Sequence, residues 1–232
     1  MLHVLCYMNQ VDFSLKISNY ISIMAGTVKI IWNDKFVYAI GLFTADGCLS
    51  SDHRHLEFNS KDKEQVLNFV KCLNLSQKIS RKTREREGIK EYYRIQFSDV
   101  KFYKFLNAIG LYSRKSKTIK KVEIPKRFLP GFPRGLFDGD GCIRTFMHPE
   151  SKNIQLRICF SSASLEFLKW LREKINNELH TKGFIQKATR AYQLNYAIYD
   201  SVRLLNYMYY SPSVICLSRK YYKVKPFINL TT

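Results

Sequence analysis

The sequence predicts an α+β protein made of two similar halves, each with the element order helix, strand, strand, helix, strand, strand, helix. An apolar stretch that ends in Asp-Gly occurs twice, as GLFTADG at residues 41–47 and as GLFDGDG at residues 135–141. After each stretch, apolar residues first alternate with polar ones, as in a strand, and then recur at the spacing of a helix. This succession of strand and helix patterns occurs twice in each half. Both halves then reach the tripeptide Ser-Arg-Lys, at residues 113–115 and 218–220.

The first element of each half is predicted to be a helix that ends at its Asp-Gly dipeptide, over roughly residues 35–45 and 132–139. Each helix carries two small residues four positions apart, which therefore lie on one face. Glycine inside a helix costs about 1 kcal/mol relative to alanine, so we expect these faces to be where the two helices pack on each other. The small residues are Gly41, Ala45, Gly135 and Gly139.

Strand and helix patterns follow in both halves. Alternation over residues 55–60 and 156–162 predicts strands, and helical spacing follows each one. A second strand and helix begin near Tyr92 and near Leu194. The apolar residues at helical spacing, including the aromatic ones, are predicted to lie in the core. They are Val66, Leu67, Phe69, Val70, Leu73, Phe102, Phe105, Leu165, Phe167, Leu168, Trp170, Leu171 and Ile175.

A proline-rich segment separates the halves, because Pro125, Pro130 and Pro133 interrupt a helix there, although Pro133 can lie in the first turn of the next helix. Residues 1–26 are interpreted as an N-terminal extension, and Met24 offers an alternative start that would make residues 1–23 dispensable. The predicted divisions of the remaining chain are a first repeat at 27–119, a linker at 120–131 and a second repeat at 132–228.

The composition favours a polyanionic partner. Lys and Arg number 38 against 19 Asp and Glu, which gives a formal net charge of +19. Nucleic acid is the leading partner and an anionic membrane surface the second. No apolar run reaches about 18 residues, so no membrane helix is predicted, and the start lacks the pattern of a secretory signal. The six cysteines form no C-x-x-C pair, so reduced thiols are expected and a zinc site is not.

Asp46 and Asp140 end the two predicted motif helices, where the helix dipole disfavours an anion by about 0.3–1 kcal/mol. If the helices pack side by side, the two carboxylates lie close together. Their mutual repulsion then either raises the pKa of one carboxyl or requires a cation between them. A hard divalent cation resolves this conflict. On a basic protein, the pair favours metal-assisted phosphodiester hydrolysis. The alternative is a pair of ordinary Asp-Gly turns, which two copies in matching context make the weaker interpretation.

Residues 39–47, AIGLFTADG, and 133–141, PRGLFDGDG, resemble the signature of the LAGLIDADG homing endonucleases, in the single-chain type with two motifs. The resemblance extends over about residues 30–228. It implies two αββαββα repeats with pseudo-two-fold symmetry, motif helices packed at the centre, and saddle-shaped antiparallel sheets. Two departures stand out: Thr44 occupies the position of Asp138 in the second motif, and Pro133 and Arg134 replace small or apolar residues.

The resemblance also implies an activity and a set of functional residues. The activity is cleavage of both strands of a long asymmetric DNA site by a monomer that uses Mg²⁺, or another divalent cation such as Mn²⁺. The implied metal ligands are the carboxylates of Asp46 and Asp140 and the backbone carbonyls of Ala45 and Gly139. Lys115 and Lys220 match basic residues that stabilise charge at the phosphate, and Ser60 and Ser162 are weaker matches to polar residues near the site's water.

Basic and polar residues on predicted hairpins are expected to contact the major groove. Lys82, Arg84 and Arg86 alternate before an expected turn at Glu87-Gly88, and a two-stranded ribbon of this kind fits the groove. A solvated sheet face is the alternative interpretation. The predicted DNA-binding residues are Arg81, Lys82, Arg84, Arg86, Tyr92, Arg94 and Gln96 in the first half, and Gln155, Arg157, Lys187, Thr189, Gln193 and Asn195 in the second.

The predicted function is therefore a site-specific DNA endonuclease, encoded within an intron. The alternatives are a maturase that acts on intron RNA and a non-cleaving DNA-binding regulator on the same fold. The paired aspartates and paired lysines favour cleavage. We expect an intracellular protein, in a prokaryotic cytoplasm rather than an organelle, because no Arg-rich, acid-poor transit segment is evident.

Overall fold

The computed structural model describes residues 27–84, 90–147, 149–150 and 152–228. Three predictions lie outside the described residues: the N-terminal extension at 1–26 with its alternative start at Met24, a DNA contact by Arg86, and the turn at Glu87-Gly88.

The described part of the first half contains three α-helices and one four-stranded antiparallel sheet. Its strands are ordered β1-β2-β4-β3 across the sheet. The elements are α1 (Asp34–Asp46), β1 (Gly47–Leu49), β2 (His55–Ser60), α2 (Lys63–Leu73), β3 (Ser80–Arg84), β4 (Lys90–Ser98) and α3 (Val100–Ala108).

The described part of the second half repeats this order and adds one helix. Its strands are ordered β5-β6-β8-β7, again antiparallel. The elements are α4 (Gly131–Asp140), β5 (Gly141–Met147), β6 (Ile154–Ser162), α5 (Leu165–Leu179), β7 (Phe184–Lys187), β8 (Tyr192–Tyr196), α6 (Ile198–Met208) and α7 (Ser218–Val224). Short 3₁₀ helices span Lys115–Lys117, Lys126–Phe128 and Lys225–Phe227. The predicted fold class, two αββαββα repeats, is confirmed.

Local capping explains where several helices begin. The side chain of Asn33 accepts a hydrogen bond from the Phe36 N–H at 2.8 Å, and Asp99 accepts one from Phe102 at 2.8 Å. Ser164 caps α5 in the same way. These side chains satisfy N–H groups that have no partner inside the first turn of a helix.

The two motif helices, α1 and α4, pack on each other at the centre of the molecule, backbone against backbone. A Cβ atom added to Gly41 would lie 2.3 Å from the carbonyl oxygen of Phe132, and one added to Gly135 would lie 2.1 Å from that of Tyr38. No side chain larger than hydrogen fits at either position without moving a helix.

Each sheet has one covered face and one open face. In β2 and β4 the covered face carries Leu56, Phe58, Ile95 and Phe97, all within the core. The second sheet covers Leu156, Ile158, Phe160 and Leu194 in the same way. Leu67, predicted as a core residue of α2, is 46% exposed instead, because it lies on the outward side of that helix. None of the described helices is long and apolar enough to cross a membrane.

Arg134 and Asp138, at two positions where the motifs diverge, tie both halves to the segment after α6. The guanidinium of Arg134 is fully buried, forms an ion pair with Asp34, and donates to the carbonyl oxygen of Met208 at 2.6 Å. Asp138 accepts hydrogen bonds from the Tyr38 hydroxyl and from the backbone N–H of Leu217, both at 2.7 Å. Burial raises the pKa of Asp138 to about 6.

Thr44, the counterpart of Asp138 in the first motif, makes a local contact instead. Its hydroxyl donates to the carbonyl oxygen of Ile40 at 2.7 Å, within α1 itself. The two motifs therefore differ in role at this position: Asp138 connects the halves, whereas Thr44 does not.

Candidate functional site

Asp46 and Asp140 lie at the same end of the central helix pair because α1 and α4 run parallel. A Cβ on Gly131, at the start of α4, would lie 2.9 Å from the Asp34 carbonyl oxygen at the start of α1. One on Gly139, at the end of α4, would lie 2.4 Å from the Cβ of Ala45 and 3.3 Å from a carboxylate oxygen of Asp46. The two helix ends thus bring the two acidic side chains together.

This arrangement disfavours two negative charges in the absence of a cation. Burial and the nearby charge of Asp140 raise the pKa of Asp46 to about 7, against the opposing effects of a Gln65 hydrogen bond and the two lysines. Asp140 is more open to solvent. Partial burial still raises the pKa of its carboxyl, while Lys220 and Lys115 lower it.

The site offers few side chains that could bind a metal, and their ligand atoms are oxygens. No group of three or more His, Cys, Asp and Glu side chains that could hold a metal occurs among the described residues. A cation between Asp46 and Asp140 would therefore need further oxygen ligands, from backbone carbonyls, water or a bound phosphate.

Lys115 and Lys220 are buried against the ends of the two motif helices, each only 6% exposed. Lys115 donates to the carbonyl oxygen of Gly47. Lys220 donates to the carbonyl oxygens of Phe137, of Gly139 at 3.3 Å and of Gly141 at 2.7 Å. Cations at a helix C-terminus are stabilised by the helix dipole and by the unpaired last carbonyls.

The lysine contacts bear on two of the implied roles. The carbonyl oxygen of Gly139 accepts a hydrogen bond from Lys220, so only one of its two lone pairs remains for a metal. Burial lowers the pKa of Lys115 to about 8 and also lowers that of Lys220. With a pKa of about 8, the ammonium group of Lys115 remains mostly protonated at neutral pH and acts as a positive charge beside the aspartates. The nearby charges of Asp138, Asp140 and Asp46 favour the charged form of Lys220.

The two Ser-Arg-Lys tripeptides are held differently. Arg219 forms an ion pair with Asp62 through three N–O contacts of 2.6–3.0 Å, and Ser218 donates its backbone N–H to Glu64 at 3.0 Å. Helix α7 of the second half is thus fastened to the start of α2 in the first half. Lys115 instead opens a 3₁₀ helix, after Arg114 in the left-handed backbone region at φ 59°.

Gln65 contacts Asp46 directly, and the sequence did not single it out. Its amide nitrogen donates to the Asp46 carboxylate at 3.2 Å, and its amide oxygen accepts from the Ser60 hydroxyl at 2.7 Å. It is only 2% exposed. The sequence did contain a sign of this role, because Gln65 is an uncharged polar residue among the apolar positions of a predicted helix.

Among the residues that the structure describes, the second half has no counterpart of this chain of contacts. Phe167 occupies the third position after the α5 cap, as Gln65 does after the α2 cap. Ser162 accepts from the N–H of Ser164 at 3.1 Å, a local contact. Ser60 therefore reaches a motif carboxylate through Gln65, whereas Ser162 does not.

A cleft of about 490 Å³ opens beside Asp46. Its wall is formed by charged and polar side chains from both halves. These include Asp46, Ser60, Asp62, Gln65, Tyr92, Lys115 and Arg219.

The open face of the first sheet carries most of the predicted DNA-binding residues of that half. Lys82, Tyr92, Arg94 and Gln96 lie on it by strand register, opposite the core residues. Glu57 lies among them and forms ion pairs with Lys82 at 2.7 Å and Arg94 at 3.7 Å.

Two further predictions for this sheet have different outcomes. Arg81 pairs with Tyr93 and so lies on the opposite side of the sheet, where it contacts Glu91 at 3.4 Å. The alternation of β3 places Lys82 and Arg81 on opposite faces. The backbone of Arg84 continues β3, but its side chain lies outside the described part of the structure.

The second sheet presents fewer of its predicted residues. Gln155, Arg157 and Gln193 lie on the open face, and Thr189 is exposed between β7 and β8. Lys187 pairs with Tyr192, on the helix side of the sheet. Asn195 is fully buried, and its side-chain oxygen has no hydrogen-bond partner, so Asn195 cannot contact a ligand in this conformation.

The pKa of Asp46 gives a testable pH dependence. A carboxyl whose pKa rises from 3.8 in the unfolded chain to about 7 on folding stabilises the folded protein below the lower value. That contribution is lost as the pH rises through about 7. The loss accumulates between the two pKa values, so in EDTA we expect Asp46→Asn to raise the melting temperature above that of the wild type at pH 8 and to raise it clearly less at pH 5. Thermal unfolding at both pH values measures this, and an equal difference at both would contradict it.

The comparisons with known proteins are consistent with this architecture. The family model of the WhiA LAGLIDADG-like domain matches residues 35–126. No curated protein sequence matches the chain. The homing endonuclease I-WcaI, bound to its DNA recognition sequence, is similar in structure, with a TM-score of 0.60 and 14% identity over 93% of each chain.

Two other solved structures share the fold. Full-length DUF199/WhiA from Thermatoga maritima has a TM-score of 0.55 and 15% identity over 91% of this chain. The present chain spans only 64% of that WhiA protein. The LAGLIDADG meganuclease I-AabMI, bound to uncleaved DNA, has a TM-score of 0.55 and 14% identity over 84% of this chain and 89% of its own. The family model matches residues 35–126, and LAGLIDADG proteins of known structure share the architecture over most of the chain. The chain therefore has a LAGLIDADG-like fold, with both motifs in one polypeptide.

Proposed function

We propose that this protein is a DNA endonuclease that recognises a long asymmetric site and hydrolyses both strands with Mg²⁺ or Mn²⁺. The observation that carries the proposal is the convergence of Asp46 and Asp140 at the ends of the parallel motif helices, with a buried lysine beside each helix end. If the two Asp-Gly dipeptides were only turns, nothing would require two acidic side chains and two buried lysines to lie at the same place.

DNA is the partner that the charge distribution favours. The formal net charge is +19, and cationic side chains such as Arg94 and Arg157 lie on the open sheet faces. Such a surface binds phosphate backbones with release of counterions. The structurally similar I-WcaI and I-AabMI are both described as bound to DNA. The two open faces differ in sequence, so we propose an asymmetric target.

The donor set suits a hard divalent cation. Carboxylate and carbonyl oxygens are the ligands that Mg²⁺ and Mn²⁺ prefer. Burial and the charge of Asp140 raise the pKa of Asp46 even with both lysines nearby, so a divalent cation would stabilise the ionised pair. Asp46 and Asp140 would hold the cation, together with the carbonyls of Ala45 and Gly139. A bound cation would stabilise negative charge at the phosphate and lower the pKa of a coordinated water.

The remaining residues of the site have supporting roles in this proposal. Gln65 fixes the orientation of the Asp46 carboxylate through its amide nitrogen. Lys115 and Lys220 offset the charge of the aspartates and attract the phosphate. The ion pair between Asp62 and Arg219 holds Lys220 against the first half.

Selection followed by cleavage tests the proposal. Double-stranded DNA with a randomised segment is selected for binding with Ca²⁺ in place of Mg²⁺, and the enriched sequences are then incubated with Mg²⁺, Mn²⁺ or EDTA. We expect one long, non-palindromic site that is cut in both strands with Mg²⁺ and left intact with EDTA. An enriched site that remains uncut with both metals would overturn the nuclease proposal.

That contrary outcome would favour the second candidate, a DNA-binding protein that does not cleave. The specific observation behind this candidate is the match of residues 35–126 to the WhiA LAGLIDADG-like domain. Both candidates need the same basic sheets, so binding alone does not separate them, whereas cleavage does.

A further inference from the structure

Arg157 lies between two exposed phenylalanine rings on the open face of the second sheet. Its guanidinium carbon is 5.7 Å from the ring centre of Phe146 and 5.8 Å from that of Phe184. The rings are 43% and 42% exposed. Large apolar side chains on an otherwise polar strand face are unfavourable in water, so their presence beside one arginine calls for an explanation.

The rings restrict the arginine before any ligand binds. A guanidinium is attracted to the face of an aromatic ring, and two rings on separate strands, β5 and β7, limit the rotamers that the long side chain can adopt. A side chain that is already ordered loses less conformational entropy when it binds. Phe146 and Phe184 thus preorganise Arg157.

The charge of Arg157 remains available to a ligand. Within the described part of the chain no carboxylate forms an ion pair with it, whereas Glu57 pairs with both Lys82 and Arg94 on the first sheet. A guanidinium carries its N–H donors in one rigid plane, and contact with the two rings does not neutralise its charge. Arg157 can therefore offer two parallel donors to one acceptor pair.

The position of Arg157 favours base edges over phosphates. It lies on β6, which is an inner strand of the β5-β6-β8-β7 sheet. When a sheet enters a major groove, its inner strands face the floor of the groove and its outer strands approach the phosphates. Guanine presents two adjacent acceptors there, O6 and N7, which match the two donors of an arginine.

We propose that Arg157 is a specificity-determining residue that recognises a single guanine in the half-site bound by the second sheet, and that Phe146 and Phe184 hold it in the required orientation. This inference rests on the proposed DNA recognition and adds one defined base to it.

The test compares the sequences selected by wild type and by variants at Arg157. Wild type is expected to require guanine at one position of its half-site. Arg157→Gln should lose that preference by about tenfold or more, with the other positions unchanged. Arg157→Lys keeps the charge but not the paired donors. It should lose the guanine preference through weaker binding of the guanine site, while affinity for unrelated DNA changes little. The double variant Phe146→Leu, Phe184→Leu should weaken the same preference in part.

Arg203→Gln, which removes an exposed arginine from α6, is the charge-matched control and should leave the selected sequence unchanged. Uniformly weaker binding by Arg157→Gln at all sequences, with a shallower salt dependence, would identify a phosphate contact and overturn the inference. If Arg157→Gln does not fold, the result for Arg157→Lys decides. A wild type that enriches no sequence would overturn the proposed DNA recognition itself and this inference with it.

Discussion

Replacing Asp46 or Asp140 by asparagine is expected to slow DNA cleavage by at least about 1000-fold, which corresponds to about 4 kcal/mol of transition-state stabilisation. Asparagine keeps the size and shape of aspartate but removes the charge that would hold a divalent cation. DNA affinity should change by less than about threefold, because the aspartates repel phosphates rather than bind them. Single-turnover cleavage and equilibrium binding on the selected site measure the two effects separately.

The control for this experiment is Asp52→Asn, which makes the same charge change at an exposed position between β1 and β2. It should cleave at nearly the wild-type rate. Unimpaired cleavage by both motif variants would exclude the assigned metal-binding role. Lost binding in a folded variant would instead indicate that the carboxylates act in DNA recognition.

Gly135→Ala is expected to destabilise the protein by about 3 kcal/mol or more, even though alanine favours a helix by about 1 kcal/mol over glycine. The new Cβ would lie 2.1 Å from the backbone carbonyl oxygen of Tyr38, and a backbone atom cannot move aside as a side chain can. The helices would have to separate, which exposes the central core. For a chain of this size, the melting temperature should fall by about 10 °C. Thermal unfolding followed by circular dichroism measures it.

Gly131→Ala is the matched comparison, since it makes the same substitution in the same helix. Its Cβ would lie 2.9 Å from the Asp34 carbonyl oxygen, near the first turn, where a smaller shift relieves the contact. We expect a clearly smaller loss of stability. Equal effects at both positions would show that the close crossing at Gly135 is not the controlling feature.

Much of the fold could be predicted because it depends on local patterns that occur twice. Alternating apolar residues determine which strand face is buried, and this correctly placed Tyr92, Arg94 and Gln96 opposite Ile95 and Phe97. The helix ends were predicted to within about one residue, since an Asp-Gly dipeptide marks each one.

Other assignments depended on neighbours that are distant in sequence. Arg81 and Lys82 are adjacent cations, and only the pairing of β3 with β4 places them on opposite faces. Asn195 resembles a surface residue in sequence but is fully buried. Arg134 differs from the small or apolar residue of the motif, and the sequence does not explain why. The structure does, because Arg134 contacts Asp34 and the carbonyl of Met208.

The sequence alone determined the repeat, the basic charge and the identity of the paired acids, because these are properties of residue type and spacing. The tertiary structure decided what surrounds each acid. Asp46 receives a hydrogen bond from Gln65, whereas Phe167 occupies the corresponding position in the second half. The pKa of a carboxyl depends on its burial and on charges within a few ångströms. Those neighbours come from other elements, which only the packing of the two halves brings together.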